Sequence, residues 1–217
     1  MLFRSVPARE QGGLIWIHTS FDARPADEPE MHDWFSDPGV RVGGVAVDWK
    51  VHWTRAMENM LDSPHLPFVH GNTIGRGLRP LVGGRMDIDT EDQPWGFRSR
   101  MRVDGEPRPG MLDFRWPNQM NLHLDLRRRR LLLMTACVPV DAERTRLLLV
   151  GARDFLRLPV FDRLFNRANL RIANQDKAVV ESSQPPRVPD AREEKSVRTD
   201  APVLRFRKLY FERLAAR

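Results

Sequence analysis

The stretch LLLMTACVPVDAERTRLLLVGA, residues 131–152, contains two apolar runs separated by a short polar segment. Residues 131–140 and 145–152 are each long and apolar enough to form a buried strand, and the charged residues 141–144 between them are typical of a turn. Two such runs joined by a few polar residues predict a β-hairpin with antiparallel strands. The hairpin therefore predicts a core built on a sheet.

Around this hairpin the chain shows shorter strand patterns and three regions of helical spacing. The strand runs, which are bounded by Gly, Pro, Asn and Asp turns, cover residues 14–17, 85–89, 96–103, 111–116 and 119–126. Helical spacing begins at about Trp53, returns at about residue 159 and is expected again over residues 200–215. A helix, then consecutive strands, then long helices predict an α+β fold, with an antiparallel sheet and segregated helices.

The composition limits the classes of protein to which the chain can belong. It has 217 residues, of which 41% are hydrophobic and 29% charged, so it can bury a core without disulfide bonds. Cys137 is the only cysteine, which excludes a disulfide framework, a four-cysteine zinc site and an iron–sulfur cluster held by this chain alone. There is no apolar run of membrane-spanning length and no secretory signal pattern, so we expect a cytoplasmic protein.

The formal net charge is +6, and nearly all the positive charge is arginine. Because the arginines are mixed with 29 acidic residues and form no platform with aromatic residues, we expect no nucleic-acid binding. The exception is the run RRRR at residues 127–130, which lies at a predicted turn. This run is either a solvated hairpin tip or a docking patch for an acidic ferredoxin.

Residues 58–70, ENMLDSPHLPFVH, hold the densest group of potential ligands. His65 and His70 are five residues apart, which places them about 140° apart on an uninterrupted helix, where they would not converge. Pro67 removes a backbone donor and disfavours the helical conformation at Leu66, so we expect the helix to break or kink between the histidines. Both imidazoles can then reach one ion. The alternative is a helix that ends in two ordinary histidines.

A carboxylate on a later helix completes a possible metal site. The apolar stripe of this helix is formed by Phe161, Phe165, Ala168, Ile172 and Val179. Asp176 lies on the same stripe, and a buried carboxylate needs either one of the many arginines or a metal ion as its partner. Two neutral imidazoles and a carboxylate are typical of non-haem Fe(II) and O₂ chemistry. A zinc hydrolase uses similar ligands, but the chain has no His-Glu-x-x-His motif.

The quoted segment resembles the iron-binding segment of the Rieske non-haem iron oxygenases, with its Asp-x-x-His-x-x-x-x-His spacing. Residues 174–181, NQDKAVVE, are similar to the later stretch that supplies the third ligand. The resemblance is to the aromatic-ring-hydroxylating dioxygenase alpha-subunit family, in the branch of pheophorbide a oxygenase and the O-demethylase-like monooxygenases. It covers about residues 5–215.

This resemblance implies a site, a fold and an assembly. It implies that His65, His70 and Asp176 bind Fe(2+), with O₂ as the co-substrate. It further implies that Asp62 lies on the electron route from a Rieske cluster and hydrogen-bonds a ligand histidine, and that Asn59 lines the iron pocket. The implied fold is the helix-grip domain, an antiparallel sheet wrapped round a long helix, and the implied assembly is a homotrimer.

The Cys-x-His and Cys-x-x-His ligands of the family's Rieske domain do not occur in these 217 residues, so this chain does not itself bind a [2Fe–2S] cluster. Residues 5–18, SVPAREQGGLIWIH, resemble only the tail of that domain. We therefore expect a remnant of a Rieske-domain tail at residues 1–20, a linker at 21–45 and the non-haem iron catalytic domain at 46–217. Electrons would come from a separate Rieske or ferredoxin-type donor.

The predicted function is that of an oxygenase catalytic domain, which hydroxylates or oxidatively dealkylates an aromatic or polycyclic organic substrate. One alternative is a non-catalytic helix-grip protein that binds small molecules and derives from such an oxygenase. A zinc hydrolase on the same ligands is a third hypothesis. His123, in an alternating strand, either faces the pocket or is structural.

Overall fold

The computed structural model describes residues 6–19, 29–126 and 128–215. Within these ranges the chain forms strands and helices in the following order: β1 Ala8–Gln11, β2 Leu14–Ile17, β3 Arg41–Trp49, α1 Trp53–Leu61, α2 Leu66–Val69, β4 Met86–Gln93, β5 Gly96–Val103, β6 Glu106–Pro107, β7 Met111–Arg115, β8 Gln119–Asp125, β9 Arg130–Pro139, β10 Thr145–Arg153, α3 Asp162–Glu181 and α4 Ala201–Tyr210. None of the helices in this part of the chain is long and apolar enough to cross a bilayer.

One large antiparallel sheet organises the molecule. Its strand order is β3-β10-β9-β8-β7-β5-β4, with the short β6 paired to β5. The β9–β10 hairpin lies near one end of this order and is paired along its whole length, from Thr145 opposite Pro139 to Arg153 opposite Leu131. The predicted hairpin and the predicted α+β class, with an antiparallel sheet, are both confirmed.

Both faces of the sheet are covered. Helices α1, α3 and α4 pack on the inner face, where Met57, Phe114 and Leu147 belong to one apolar cluster. The outer face is covered by the β1–β2 hairpin and by residues 29–40, and Phe35 and Met134 lie in that second cluster. Burial on both faces explains why β9 and β10 are nearly continuous apolar runs rather than alternating ones.

The first strand of the large sheet begins inside the segment that the sequence predicts to be a linker. Residues 41–45 belong to β3, which pairs with β10 along its whole length, so the linker prediction is wrong for these five residues. The strand signal is weak because Gly43 and Gly44 interrupt it. A Cβ at Gly44 would lie 3.0 Å from the Leu149 carbonyl oxygen, so only glycine fits there without a shift. The Gly44 carbonyl accepts a hydrogen bond from Asn166 of α3, and the glycine thus lets α3 approach the strand closely.

Helix α1 is buried on nearly all sides and is held by a network of charges. Arg55 donates to Glu58 at 2.7 Å and to Glu194 at 2.6 Å, and Arg207 of α4 donates to the same two carboxylates. Arg55, Glu58 and Arg207 are each less than a tenth exposed. Each buried charge in this network therefore has a partner of opposite sign, and the network fixes the position of α1 against α4.

We expect Glu58→Gln to lower the free energy of unfolding by about 3 kcal/mol, because it leaves two buried guanidinium groups short of a carboxylate. Urea unfolding measures this change. The matched control is Asp48→Asn, which removes the carboxylate from an ion pair with Arg146 that is more than half exposed. The control should cost less than about 1 kcal/mol. Equal losses in the two variants would contradict the account.

Candidate metal centre

Two short helical turns after α1 carry the two histidines. Helix α1 ends at Leu61 because Asp62 has an extended backbone, with φ −82° and ψ 92°. A 3-10 turn then spans Ser63–His65, and the single turn of α2 ends at Val69 with His70 as its cap. The chain thus changes direction before His65, which lets both imidazoles face the same side.

The expected break at Pro67 is not observed. Leu66 keeps helical dihedral angles, with φ −52° and ψ −47°, and Pro67 lies in the first turn of α2. A proline is tolerated there because the backbone N–H that it lacks has no acceptor within the helix. The break lies instead at Asp62, three residues before His65. The prediction of a break between the two histidines, caused by Pro67, is therefore wrong in both position and cause.

Helix α3 brings the carboxylate to the histidines. Its buried residues are Ala173, Asp176 and Val180, and Asp176 is only 3% exposed. The predicted stripe is partly wrong, because Ala168 and Val179 are exposed. The buried face is rotated by about 90° from the centre of that stripe. The small side chain of Ala173 lets the helix approach the core on this face, whereas Phe165 packs at the rim against Phe155.

The three side chains converge on one point. The Asp176 Oδ1 lies 2.9 Å from His70 Nε2 and 3.6 Å from His65 Nε2. One potential ligand atom from each residue lies within 4.8 Å of the other two. The two imidazole rings are 5.1 Å apart and nearly perpendicular. The structure therefore brings together the three residues that the sequence marks as ligands.

This donor set fits a metal ion. Two ligand atoms that are about 2.1 Å from one ion and at right angles to each other lie about 3.0 Å apart, close to the His70–Asp176 separation. The Asp176 Oδ1 is buried and has no hydrogen-bond partner, so its 2.9 Å contact with His70 lacks hydrogen-bond geometry. Within the described ranges no arginine or lysine forms an ion pair with Asp176. A buried carboxylate without such a partner is the arrangement that a cation would complete.

The orientation of His70 is fixed from its other side. Its Nδ1 lies 3.0 Å from the Oε1 of Gln175, and the Thr73 hydroxyl donates to the same oxygen at 3.3 Å. An amide oxygen only accepts, so Nδ1 carries the proton and Nε2 is left to face Asp176. Burial alone lowers the pKa of His70, but the adjacent Asp176 carboxylate and Gln175 oxygen outweigh it and raise this pKa.

Asp62 and Asn59 lie beside the three converging residues. The Asp62 carboxylate is 3.6 Å from His65 Nδ1, an ion-pair distance that is longer than a hydrogen bond, and it is about one third exposed. The Nδ2 of Asn59 is buried and has no hydrogen-bond partner. Both residues line the same cavity as the histidines. The electron-route role of Asp62 and the pocket role of Asn59 stay predictions.

A cavity opens between the inner face of the sheet, α1 and α3. It contains about 730 Å³ of space not filled by protein atoms, part of it open to solvent. Its walls are mainly apolar, with Leu122 and Leu149 among the lining residues, and Asn169 and Thr135 add polar groups. The cavity therefore suits an apolar organic molecule with few polar groups.

The sequence did not predict two residues of the candidate centre, Gln175 and Thr73. Gln175 adjoins Asp176 in the sequence and Thr73 follows His70 by three residues, but neither shows a pattern that predicts its contact.

The candidate His123 lies on the outer face of the sheet. It pairs with Asp113 at 3.0 Å, and Arg98 also binds that carboxylate. Burial raises the pKa of Asp113, but His123 and Arg98 outweigh it and lower the pKa to about 2. His123 is thus part of a structural pair and does not line the cavity.

The family assignment rests on a match over most of the chain. The family model of the vanillate O-demethylase oxygenase C-terminal domain matches residues 49–129 and 108–217. The chain belongs to this family. The predicted resemblance to the catalytic domain of Rieske oxygenases is confirmed. The match begins at residue 49, which is the last residue of β3.

Two curated proteins that are similar to this chain are an oxygenase and a subunit of a monooxygenase system. Chlorophyllide a oxygenase of Arabidopsis thaliana is 27% identical over 203 residues, which cover 83% of this chain and 35% of that protein. A toluene-4-sulfonate monooxygenase iron–sulfur subunit of Comamonas testosteroni, TsaM1, is 27% identical over 84 residues, which cover 36% of this chain and 24% of that protein. The chain spans about a third of the length of the first of these relatives.

Solved structures agree with the fold. NdmA of Pseudomonas putida CBB5, in a mutant form with caffeine, has a TM-score of 0.77 and 25% identity, covering 94% of this chain and 59% of that one. Dicamba monooxygenase bound to dicamba has a TM-score of 0.75 at 17% identity, covering 99% and 71%. These neighbours confirm the helix-grip fold, and the prediction of a Rieske-type oxygenase catalytic domain is confirmed at the level of the family.

We expect Gln175→Leu to weaken divalent-metal binding by about 10- to 100-fold, because the variant no longer holds His70 in the tautomer that leaves Nε2 free. Anaerobic titration with Co(II), followed by its visible absorption, measures the affinity. The matched control is Asn174→Leu, which alters the exposed neighbouring side chain and should leave the affinity unchanged. An unchanged affinity in Gln175→Leu would show that the contact does not position His70.

Proposed function

We propose that the chain is the catalytic domain of an oxygenase that holds Fe(II) with His65, His70 and Asp176. It would use O₂ to hydroxylate or oxidatively dealkylate an aromatic or polycyclic organic substrate. The observation that carries the proposal is the buried Asp176 carboxylate, which has two imidazoles and no arginine or lysine beside it among the described residues. Family membership supports the same chemistry.

The ligand set defines what a bound ion can do. Two imidazoles and one carboxylate leave coordination positions open, and Fe(II) bound there would supply O₂ activation, in which one oxygen atom enters the substrate and the other, with two electrons and two protons, forms water. The protein's part is to shape the cavity. The apolar walls exclude water, and Asn59, Thr135 and Asn169 offer polar groups that can orient a substrate.

A separate component would supply electrons. The 217 residues contain one cysteine, Cys137, which is buried and free, so a Rieske cluster must be held outside these residues. We propose that a Rieske or ferredoxin-type donor serves the site and that Asp62, beside His65 and partly exposed, lies on its route. We further propose that residues 1–20 are the tail of a Rieske domain and that the chain assembles as a homotrimer in the cytoplasm.

The test measures demethylation by the chain loaded anaerobically with Fe(II) and driven by hydrogen peroxide. Vanillate, caffeine and dicamba serve as probes, since proteins similar to this chain are named for them or were solved with them. We expect formaldehyde from at least one probe, and none with NADH alone. Asp176→Ala should abolish it, and Glu91→Ala, an exposed carboxylate on β4, should not.

The alternative functions give different results in the same assay. A binding protein would take up a probe but release no formaldehyde in any loaded form. A zinc hydrolase would act with Zn(II) and would not depend on peroxide or O₂. Robust turnover of a probe by the purified chain with NADH alone would contradict the need for a separate donor.

A further inference from the structure

The side of α3 that faces away from the candidate metal centre, together with the turn that leads into this helix, carries an unusual set of exposed residues. We call this surface the arginine face and define it as Leu158, Val160, Arg163, Leu164, Arg167 and Arg171. The three aliphatic side chains are 65%, 69% and 60% exposed, in chain order. The three arginines are also exposed. Isolated exposed aliphatic residues are ordinary, but three of them within seven residues form a patch.

Helix geometry places the four α3 residues of the arginine face on one side of the helix. Arg163, Arg167 and Arg171 are spaced four residues apart, and together with Leu164 they fall within an arc of about 100°. Asp176 lies about 140° away from Arg171, on the buried side. Arginines at this spacing repel one another and destabilise a helix slightly. A contribution to the stability of α3 therefore does not explain why these three positions are arginines.

No acidic residue within the described part of the protein neutralises this face. Asp162 is the only acidic residue among residues 155–174, and its carboxylate already binds Arg41 and Arg153. Within the ranges that the structure describes, none of Arg163, Arg167 and Arg171 forms an ion pair. The face therefore presents uncompensated positive charge beside apolar surface.

The loop that precedes α3 holds the aliphatic side chains outward. Leu156 adopts a left-handed conformation, with φ +46°. The buried Arg153 donates two hydrogen bonds to the Leu156 carbonyl, at 3.2 and 3.1 Å, and a third to Asp162 at the start of α3. Pro159 then begins the turn that leads into the helix. This anchoring fixes the loop, so the exposure of Leu158 and Val160 is built into the fold.

The tip of the β8–β9 hairpin carries further positive charge, at Arg128 and Arg129. Arg129 lies over the ring of Phe155, which in turn packs on Phe165 of α3. Arg130 is paired with Asp154, but Arg128 and Arg129 form no ion pair with any described residue. Because Phe165 lies about 120° or more around α3 from the three arginines, this tip is not part of the arginine face.

We propose that the arginine face binds the anionic surface of a lipid bilayer, with Leu158, Val160 and Leu164 inserted among the acyl chains and the arginines on the lipid phosphates. Guanidinium groups bind phosphate well, and exposed aliphatic area with adjacent basic residues is the chemistry of interfacial binding. An acidic protein is the less favoured occupant because the three aliphatic side chains are each 60% or more exposed, which suits insertion among acyl chains.

The test is flotation of the purified chain with vesicles. The two vesicle types are pure phosphatidylcholine and phosphatidylcholine with about 30% phosphatidylglycerol. We expect binding to the anionic vesicles only, and weaker binding at about 500 mM salt than at about 50 mM. Absence of binding to anionic vesicles at low salt, or equal binding to both vesicle types, would overturn the proposal.

Three sets of variants separate this face from general basicity. Joint replacement of Arg163, Arg167 and Arg171 by Gln should weaken anionic-vesicle binding by about a hundredfold. Joint replacement of Leu158, Val160 and Leu164 by Ser should weaken it at least about tenfold, also at high salt. The charge-matched control replaces three exposed basic residues elsewhere by Gln: Arg76, Arg192 and Lys195. A loss in the control equal to that in the arginine variant would overturn the proposal.

Two further measurements separate lipid binding by this face from misfolding and from self-association. Thermal unfolding of each variant should match the native chain, because all the altered side chains are exposed. Sedimentation velocity should show that the Leu158, Val160 and Leu164 replacements leave the oligomeric state unchanged, and dissociation of an oligomer would assign the face to a second copy and overturn the proposal. Asp176→Ala should bind vesicles normally, since this surface acts independently of the metal centre.

Discussion

The burial of the Asp176 charge is the constraint on which the rest of the site depends. A carboxylate that is 3% exposed and has no arginine or lysine beside it in the described ranges is costly in an apolar interior. The chain contains many arginines, and it uses them to pair Glu58, Asp113 and Asp162, yet within those ranges it gives none to Asp176. Two imidazoles stand there instead, and they can bind a cation together with the carboxylate.

The fold supplies this arrangement by packing helices on one face of a sheet whose other face is also covered. Helix α3 carries Asp176 toward the sheet. The end of helix α1 at Asp62 changes the direction of the chain and turns His65 and His70 toward Asp176. The buried network around Glu58 holds α1, and with it the start of this segment, in place. The cavity between these helices and the sheet is thus next to the candidate metal centre. Helix α3 turns one face toward that centre and the opposite face toward solvent.

The sequence predicted the sheet and the ligands better than the way in which they come together. The β9–β10 hairpin was predictable because its apolar runs are long and bounded by a polar turn. The start of β3 was not, since Gly43 and Gly44 weaken the strand pattern at the point where α3 must approach. The rotation of α3 depends on contacts with residues far away in the sequence, such as that of Asn166 with Gly44, and the helical periodicity of α3 alone does not reveal them. The contact of Gln175 with His70 joins residues 105 positions apart, so it was equally hidden.

The most direct test of the account is the iron content of the chain after anaerobic Fe(II) loading and removal of loosely bound metal. The native chain should retain about one iron, as one three-residue site requires. His65→Ala, His70→Ala and Asp176→Ala should each lose it, whereas His123→Ala, which alters a histidine of the outer face, should retain it. Absence of stoichiometric iron in the native chain, or full retention in Asp176→Ala, would contradict the central claim.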